Sequence, residues 1–135
     1  MCELFIGAEK TLWESSTKSL RIEGVVTSIR LENFFWATLE EIGFRDSMTV
    51  NQLITKLYFE SLDADHDIGN FTSFLRVCCA RYHALIAANE LTPSLNSEIA
   101  TVPAKEILSR ELKRMNDKAA QLAKPQVNTK ATLVN

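Results

Sequence analysis

The 135-residue sequence predicts a mainly α chain with one short β-strand. Three observations carry that expectation. The run Val25-Val26-Thr27-Ser28-Ile29-Arg30-Leu31 is dense in strand-favouring types. Four other segments repeat apolar residues at helical spacing. No second stretch matches the first in strand character.

Residues 1–20 read as a mixed N-terminal arm, in which "ELFI" is a candidate short strand and "TLWESSTKS" a loop or frayed turn. The strand is expected over 21–31 and opens a domain running to residue 90. Asn33 is a candidate N-cap for a helix over 33–45, with Phe35, Trp36, Leu39, Ile42 and Phe44 near a 3.6 period. Thr49 and Gln52 match a capping box that starts a second helix over 50–63, its buried stripe Val50, Leu53, Ile54, Leu57 and Tyr58. "DADHDIGN" ends it. Asn70 or Thr72 caps a third helix over 71–89, with Phe74, Leu75, Cys78, Tyr82, Leu85 and Ile86 inward. Residues 91–103 are a linker by composition. A C-terminal amphipathic helix follows within 104–124, its seam Leu108, Leu112, Met115, Ala119 and Leu122 in steps of four and three. Residues 125–135 are expected to be a disordered tail.

With 46% hydrophobic and 24% charged residues, the composition is that of an ordinary globular protein with one core. No apolar run approaches the ~18 residues of a membrane span, and the N-terminus lacks the pattern of a signal peptide. A cytoplasmic, nucleoid-associated protein without membrane contact is therefore expected. Three cysteines without metal spacing read as reduced thiols. The net charge of −2 is uneven: residues 1–66 carry 6 basic against 11 acidic side chains, residues 67–135 carry 9 against 6.

A lone strand leaves main-chain N–H and C=O groups unpaired on both edges. A second copy of the chain would satisfy them through an intermolecular two-stranded antiparallel ribbon, giving an intertwined homodimer. Ile29, Leu31, Trp36, Leu39, Leu53, Ile54 and Leu57 would form the dimer core. Alternation along the strand turns Thr27, Ile29 and Leu31 toward the helices and Val26, Ser28 and Arg30 outward.

The run "VVTSIRLENFFWATLEEI" followed by "MTVNQLI" resembles the ribbon-helix-helix family of bacterial DNA-binding proteins, the Arc and MetJ type. That family starts its second helix about nineteen residues after the last DNA-facing strand residue, with Ser/Thr-Val-Asn. Here Arg30 and Thr49-Val50-Asn51 keep that spacing. "MCELFI", "SLRIEGVVTSIRLENFFW", "VNQLITKLY" and "GNFTSFLRVCCARY" further resemble an uncharacterised bacterial subgroup with an added third helix, over about residues 1–85. The resemblance implies base reading in the major groove by Val26, Ser28 and Arg30. Arg30 suits guanine O6 and N7, and Ser28 suits either base type. Val26 departs from the polar or basic residue common there. The resemblance also implies a phosphate clamp at the second helix's N-terminus, from Thr49 and Val50, where helix dipole and free N–H groups favour anions. Lys18 and Arg21, ahead of the strand, would add phosphate contacts.

Other features point to no chemistry. His66 in "DADHD" lacks convergent metal ligands, His83 reads as a helix residue, and Cys78-Cys79 reads as packing. There is no phosphate loop, G-x-S-x-G or H-E-x-x-H. No enzyme activity, cofactor or metal is expected. The favoured reading is a homodimeric sequence-specific regulator of transcription, a repressor, bound to double-stranded DNA. The alternative is a protein-interaction or antitoxin-like module. Its ribbon only dimerises, its C-terminal helix binds a partner protein, and Glu23, Glu32, Glu40, Glu41 and Asp46 repel phosphate.

Overall fold

Glu23 and Gly24 both take positive φ, 51° and 77°, and reverse the chain in two residues. Positive φ at both central positions is the signature of the tight hairpin turn whose twist matches paired strands. The turn joins β1 (Ser15–Ile22) to β2 (Val25–Glu32), which pair antiparallel from Ile22–Val25 to Ser15–Glu32. The ribbon therefore forms within one chain. This corrects two expectations: there are two strands per chain, and the partner of the second is its own N-terminal arm. The polar "SSTKS" hides a strand because its apolar positions, Leu20 and Ile22, come only at the end.

The computed structural model describes residues 2–64 and 70–125. The chain forms two compact units, residues 1–102 and 103–135. In the first, "CELFI" is not a strand but one helical turn, α1 (Cys2–Ile6), closed by the Gly7 N–H on the Glu3 carbonyl at 2.9 Å. A 3-10 turn at Lys10–Leu12 leads into β1. Three helices follow the hairpin: α2 (Asn33–Arg45), α3 (Val50–Asp63) and α4 (Phe71–Ala87). The second unit contains α5 (Ala104–Leu122), on which Leu108, Leu112, Met115 and Leu122 are exposed and Lys113 pairs with Asp117 at 2.7 Å. His66 and the expected tail beyond residue 125 lie outside the described residues.

One face of the hairpin carries Leu20, Ile22, Ile29 and Leu31, all buried against the helices. Trp36 and Leu39 of α2, Leu53 and Ile54 of α3, and Leu75 and Cys79 of α4 complete the cluster, with Leu57 partly buried against it. All seven side chains expected at a dimer core thus lie in the core of a single chain. Leu31, Leu39, Ile54 and Leu75 are fully buried, and burial of each contributes ~1.5–3 kcal/mol. In the cysteine doublet it is Cys79, not Cys78, that is fully buried, with its thiol toward the Phe35 carbonyl at 3.6 Å.

Asn33 does not cap α2. It is the first helical residue, and its side chain reaches back to the arm, accepting from Ser16 Oγ at 2.6 Å and donating to the Thr11 carbonyl at 3.1 Å. Trp36 Nε1 donates to the Ser16 carbonyl at 2.9 Å. Gly43 is required at the α2–α3 turn, where a Cβ would stand 2.7 Å from the Met48 carbonyl oxygen. The expected linker is strapped down: Asp46 accepts from the Ile99 and Ala100 N–H groups, Arg45 Nε donates to the Ser97 carbonyl at 2.8 Å, and Leu91 is buried.

The turn makes a direct prediction. Gly24→Val forces a β-branched residue to positive φ and should lower stability by about 1–2 kcal/mol in urea unfolding. Glu23→Asn supplies the favoured turn residue and should raise the midpoint. Equal midpoints for both variants and the parent would contradict the hairpin.

Candidate nucleic-acid interface

In the two-stranded ribbon, residues whose neighbours are buried must point the other way. Val26, Ser28 and Arg30 on β2 are exposed, on the face opposite Ile29 and Leu31. The register sets Arg21 across from Val26, Ser19 across from Ser28 and Thr17 across from Arg30. These three β1 residues are exposed too. Ser19 Oγ and Ser28 Oγ stand 3.5 Å apart, and Arg21 Nη1 donates to the Gly24 carbonyl at 3.3 Å. The face thus carries hydroxyls along its middle and one guanidinium on each strand.

Lys18 is not on this face. It pairs with Ile29 on the helix side and holds its ammonium 4.9 Å from the centre of the Trp36 ring, a cation–π contact. Among the expected phosphate-contact residues it is therefore set apart from Arg21.

The acidic side chains near the ribbon are largely engaged. Glu32 takes a two-point contact from Arg76, with Nε at 2.9 Å and Nη2 at 3.5 Å. The Arg76 hydrogen bond is the main cause that holds the Glu32 carboxyl below its ordinary value. Glu41 accepts from the Tyr82 hydroxyl, which in turn accepts from buried Arg45 Nη1 at 3.1 Å. Burial first, and the Glu41 carboxylate second, raise the Tyr82 phenol above its ordinary value. Asp46 serves the 99–100 backbone. Of the five carboxylates counted against DNA, only Glu23 and Glu40 have no such role among the described contacts.

At the start of α3 both halves of the expected capping box form. Gln52 N–H donates to Thr49 Oγ1 at 3.1 Å, and Thr49 N–H donates to Gln52 Oε1 at 2.9 Å. The Thr49 N–H is therefore spent on its own cap. The first two helical N–H groups, Val50 and Asn51, keep no intrahelical partner. Thr49 is exposed and Val50 half-buried.

His83 is exposed on α4 and meets Thr38 Oγ1 through Nε2 at 2.9 Å. Thr38 also donates to the Phe34 carbonyl, so His83 Nε2 carries the proton of that contact. Burial pushes the Cys79 thiol up to about 12, far from the thiolate a nucleophile needs. Among the described residues no cluster of His, Cys, Asp and Glu is placed to hold a metal, and no helix is long and apolar enough to cross a membrane.

Residues 15–83 match the model of the ribbon-helix-helix domain family. That span begins at β1 and ends within α4, covering the hairpin and the three helices beneath it. The solved structure of an uncharacterized protein from Bordetella pertussis Tohama I is similar, with 45% sequence identity and a TM-score of 0.76. The similarity covers 80% of this chain and 86% of that one. No curated protein matches the chain. Sequence reading placed the β2 face but missed its β1 counterpart. The signal lay in Leu20-x-Ile22 and Val25-x-Thr27-x-Ile29 flanking a two-residue turn that ends in glycine.

The Glu32–Arg76 pair generates a pH prediction. A carboxyl lowered from 4.5 stabilises the fold above that value, and the stabilisation is lost as pH falls through the folded-state value. Arg76→Gln should cost up to about 1 kcal/mol near neutrality. The gap between variant and parent should close in acid, below about pH 4.5, when thermal midpoints are measured across pH. A gap that stays constant into acid would contradict the pairing.

Proposed function

We propose that this chain, which belongs to the ribbon-helix-helix domain family, is a homodimeric, sequence-specific regulator of transcription that acts as a repressor on cytoplasmic, nucleoid DNA. The supporting observation is the outward face of the ribbon. Arg30 forms no hydrogen bond among the described residues, so its planar fork is available to guanine, while Ser28 can donate or accept and Val26 can meet a thymine methyl. The ~12 Å width of the major groove admits such a ribbon. Val50 and Asn51 N–H groups, with the Thr49 hydroxyl, provide the phosphate clamp at the positive end of α3.

Dimerisation follows from site length, since one short ribbon contacts only a few base pairs and a genome offers many competing sites. The second copy joins elsewhere than at the edge of β2 that β1 fills. The pairing of Glu32, Glu41 and Asp46 within the chain removes much of the repulsion that the acidic first half suggests. A second reading has its own observation: the exposed Leu108, Leu112, Met115 and Leu122 of α5 form an apolar stripe suited to a partner protein. In that reading the hairpin is structural and DNA is not the ligand.

Gel-shift titration over selected and random duplexes separates the two. Arg30→Ala should lose ~1–3 kcal/mol and relax preference at one base position. Affinity should fall with salt by about 0.9 log units per tenfold salt for each phosphate neutralised. No binding at low salt, or equal binding by Arg30→Ala and parent, would remove the role.

A further inference from the structure

The face proposed to meet DNA belongs to one hairpin, so its two strands present different residues. The β2 row is Val26, Ser28 and Arg30, and the β1 row facing it is Arg21, Ser19 and Thr17. Resting on the DNA reading above, we infer that Thr17, Ser19 and Arg21 are also base-reading residues, and that each chain by itself reads an asymmetric stretch of duplex.

Width is the first reason. Two strands lie ~4.8 Å apart and fit a groove ~12 Å wide. Pairing of β2 with the β2 of a second copy would make a four-stranded sheet, about 14 Å between its outer strands before side chains are added. That sheet is too wide to enter as a ribbon. One hairpin per stretch of groove is the arrangement that fits.

The placement of the arginines is the second reason. Arg30 faces Thr17, and Arg21 lies four residues along β1 from Thr17. At ~3.4 Å per residue the two guanidinium-bearing positions are about 14 Å apart, on opposite strands and at opposite ends of the ribbon. At ~3.4 Å per base-pair step this sets two guanine contacts about four base pairs apart. Ser19 and Ser28, close enough to share a proton, lie between them. Arg21 projects from the ribbon's face beside its turn, where the contact to Gly24 orients it while leaving other N–H donors free. Two identical β2 rows would read a two-fold symmetric core, whereas unlike rows read one without symmetry.

The test is in-vitro selection from a random duplex library with the full-length parent, Arg30→Ala, Arg21→Ala and Arg21→Lys, followed by affinities on the selected duplex at one salt concentration. The core bound by each hairpin should be asymmetric, whether it occurs once or as two separated inverted copies. Arg21→Ala should weaken binding roughly ten- to a hundredfold and relax a position about four base pairs from the one that Arg30→Ala relaxes. Arg21→Lys keeps the charge but loses the fork, so it should relax the same position. If Arg21→Ala weakens every sequence alike and Arg21→Lys restores binding, Arg21 is a phosphate contact and the inference fails. A palindromic core centred between two Arg30-dependent positions would overturn it equally, in favour of a two-chain ribbon. Both results leave the DNA reading standing. Failure to select any sequence at low salt would sink that reading and this inference together.

Discussion

Everything in this fold depends on the main-chain pairing of β1 with β2. A two-stranded hairpin alone is marginal in water. Here its inner face is apolar and lies on α2, α3 and α4, so hydrogen bonding and burial support each other. Remove β1 and the inward edge of β2 loses its partners, Leu20 and Ile22 leave the core, and Trp36 loses its acceptor on Ser16. The turn at Glu23-Gly24 makes the pairing local, with a loop of two residues and little closure entropy to overcome.

The same pairing links fold to function. Alternation along each strand gives one apolar and one polar face, so the burial that stabilises the hairpin also fixes which residues face away. Arg30 and Arg21 are outward because Ile29, Leu31, Leu20 and Ile22 are inward. The α2 helix is tied to the arm by Asn33 and Trp36. At its far end Arg45 and Asp46 hold the 97–100 segment, with Tyr82 and Glu41 completing that polar network. Carboxylates that would otherwise oppose an anionic ligand are thereby given partners inside the chain.

Much of this is legible in the sequence, and the losses have physical causes. The helices over 33–45 and 50–63 begin and end where apolar periodicity and the Thr49–Gln52 capping box place them, because those signals are local. β1 is not legible as a strand because five of its first six residues are Ser, Thr or Lys. Its inner-face Lys18 is stabilised by an aromatic ring eighteen residues away. Asn33 reads as a cap by type, yet its side chain is taken by Ser16 and Thr11, which are distant in sequence. The strap over 91–103 looks like a linker for the same reason: Arg45 and Asp46 reach it across more than fifty residues. The residues assigned to a dimer core are the right apolar set, but with β1 unread the chain has too little of its own to bury them.

The claim beneath this account is that the ribbon is closed within one chain. Isotope-filtered NMR on an equal mixture of labelled and unlabelled protein tests it most directly. Ser19 and Ser28 face each other across the hairpin, so their backbone protons should give a close contact. The account predicts that this contact arises within single chains and is absent from the spectrum filtered for contacts between chains. A Ser19–Ser28 contact seen only between labelled and unlabelled chains, or a β2–β2 contact in its place, would contradict it.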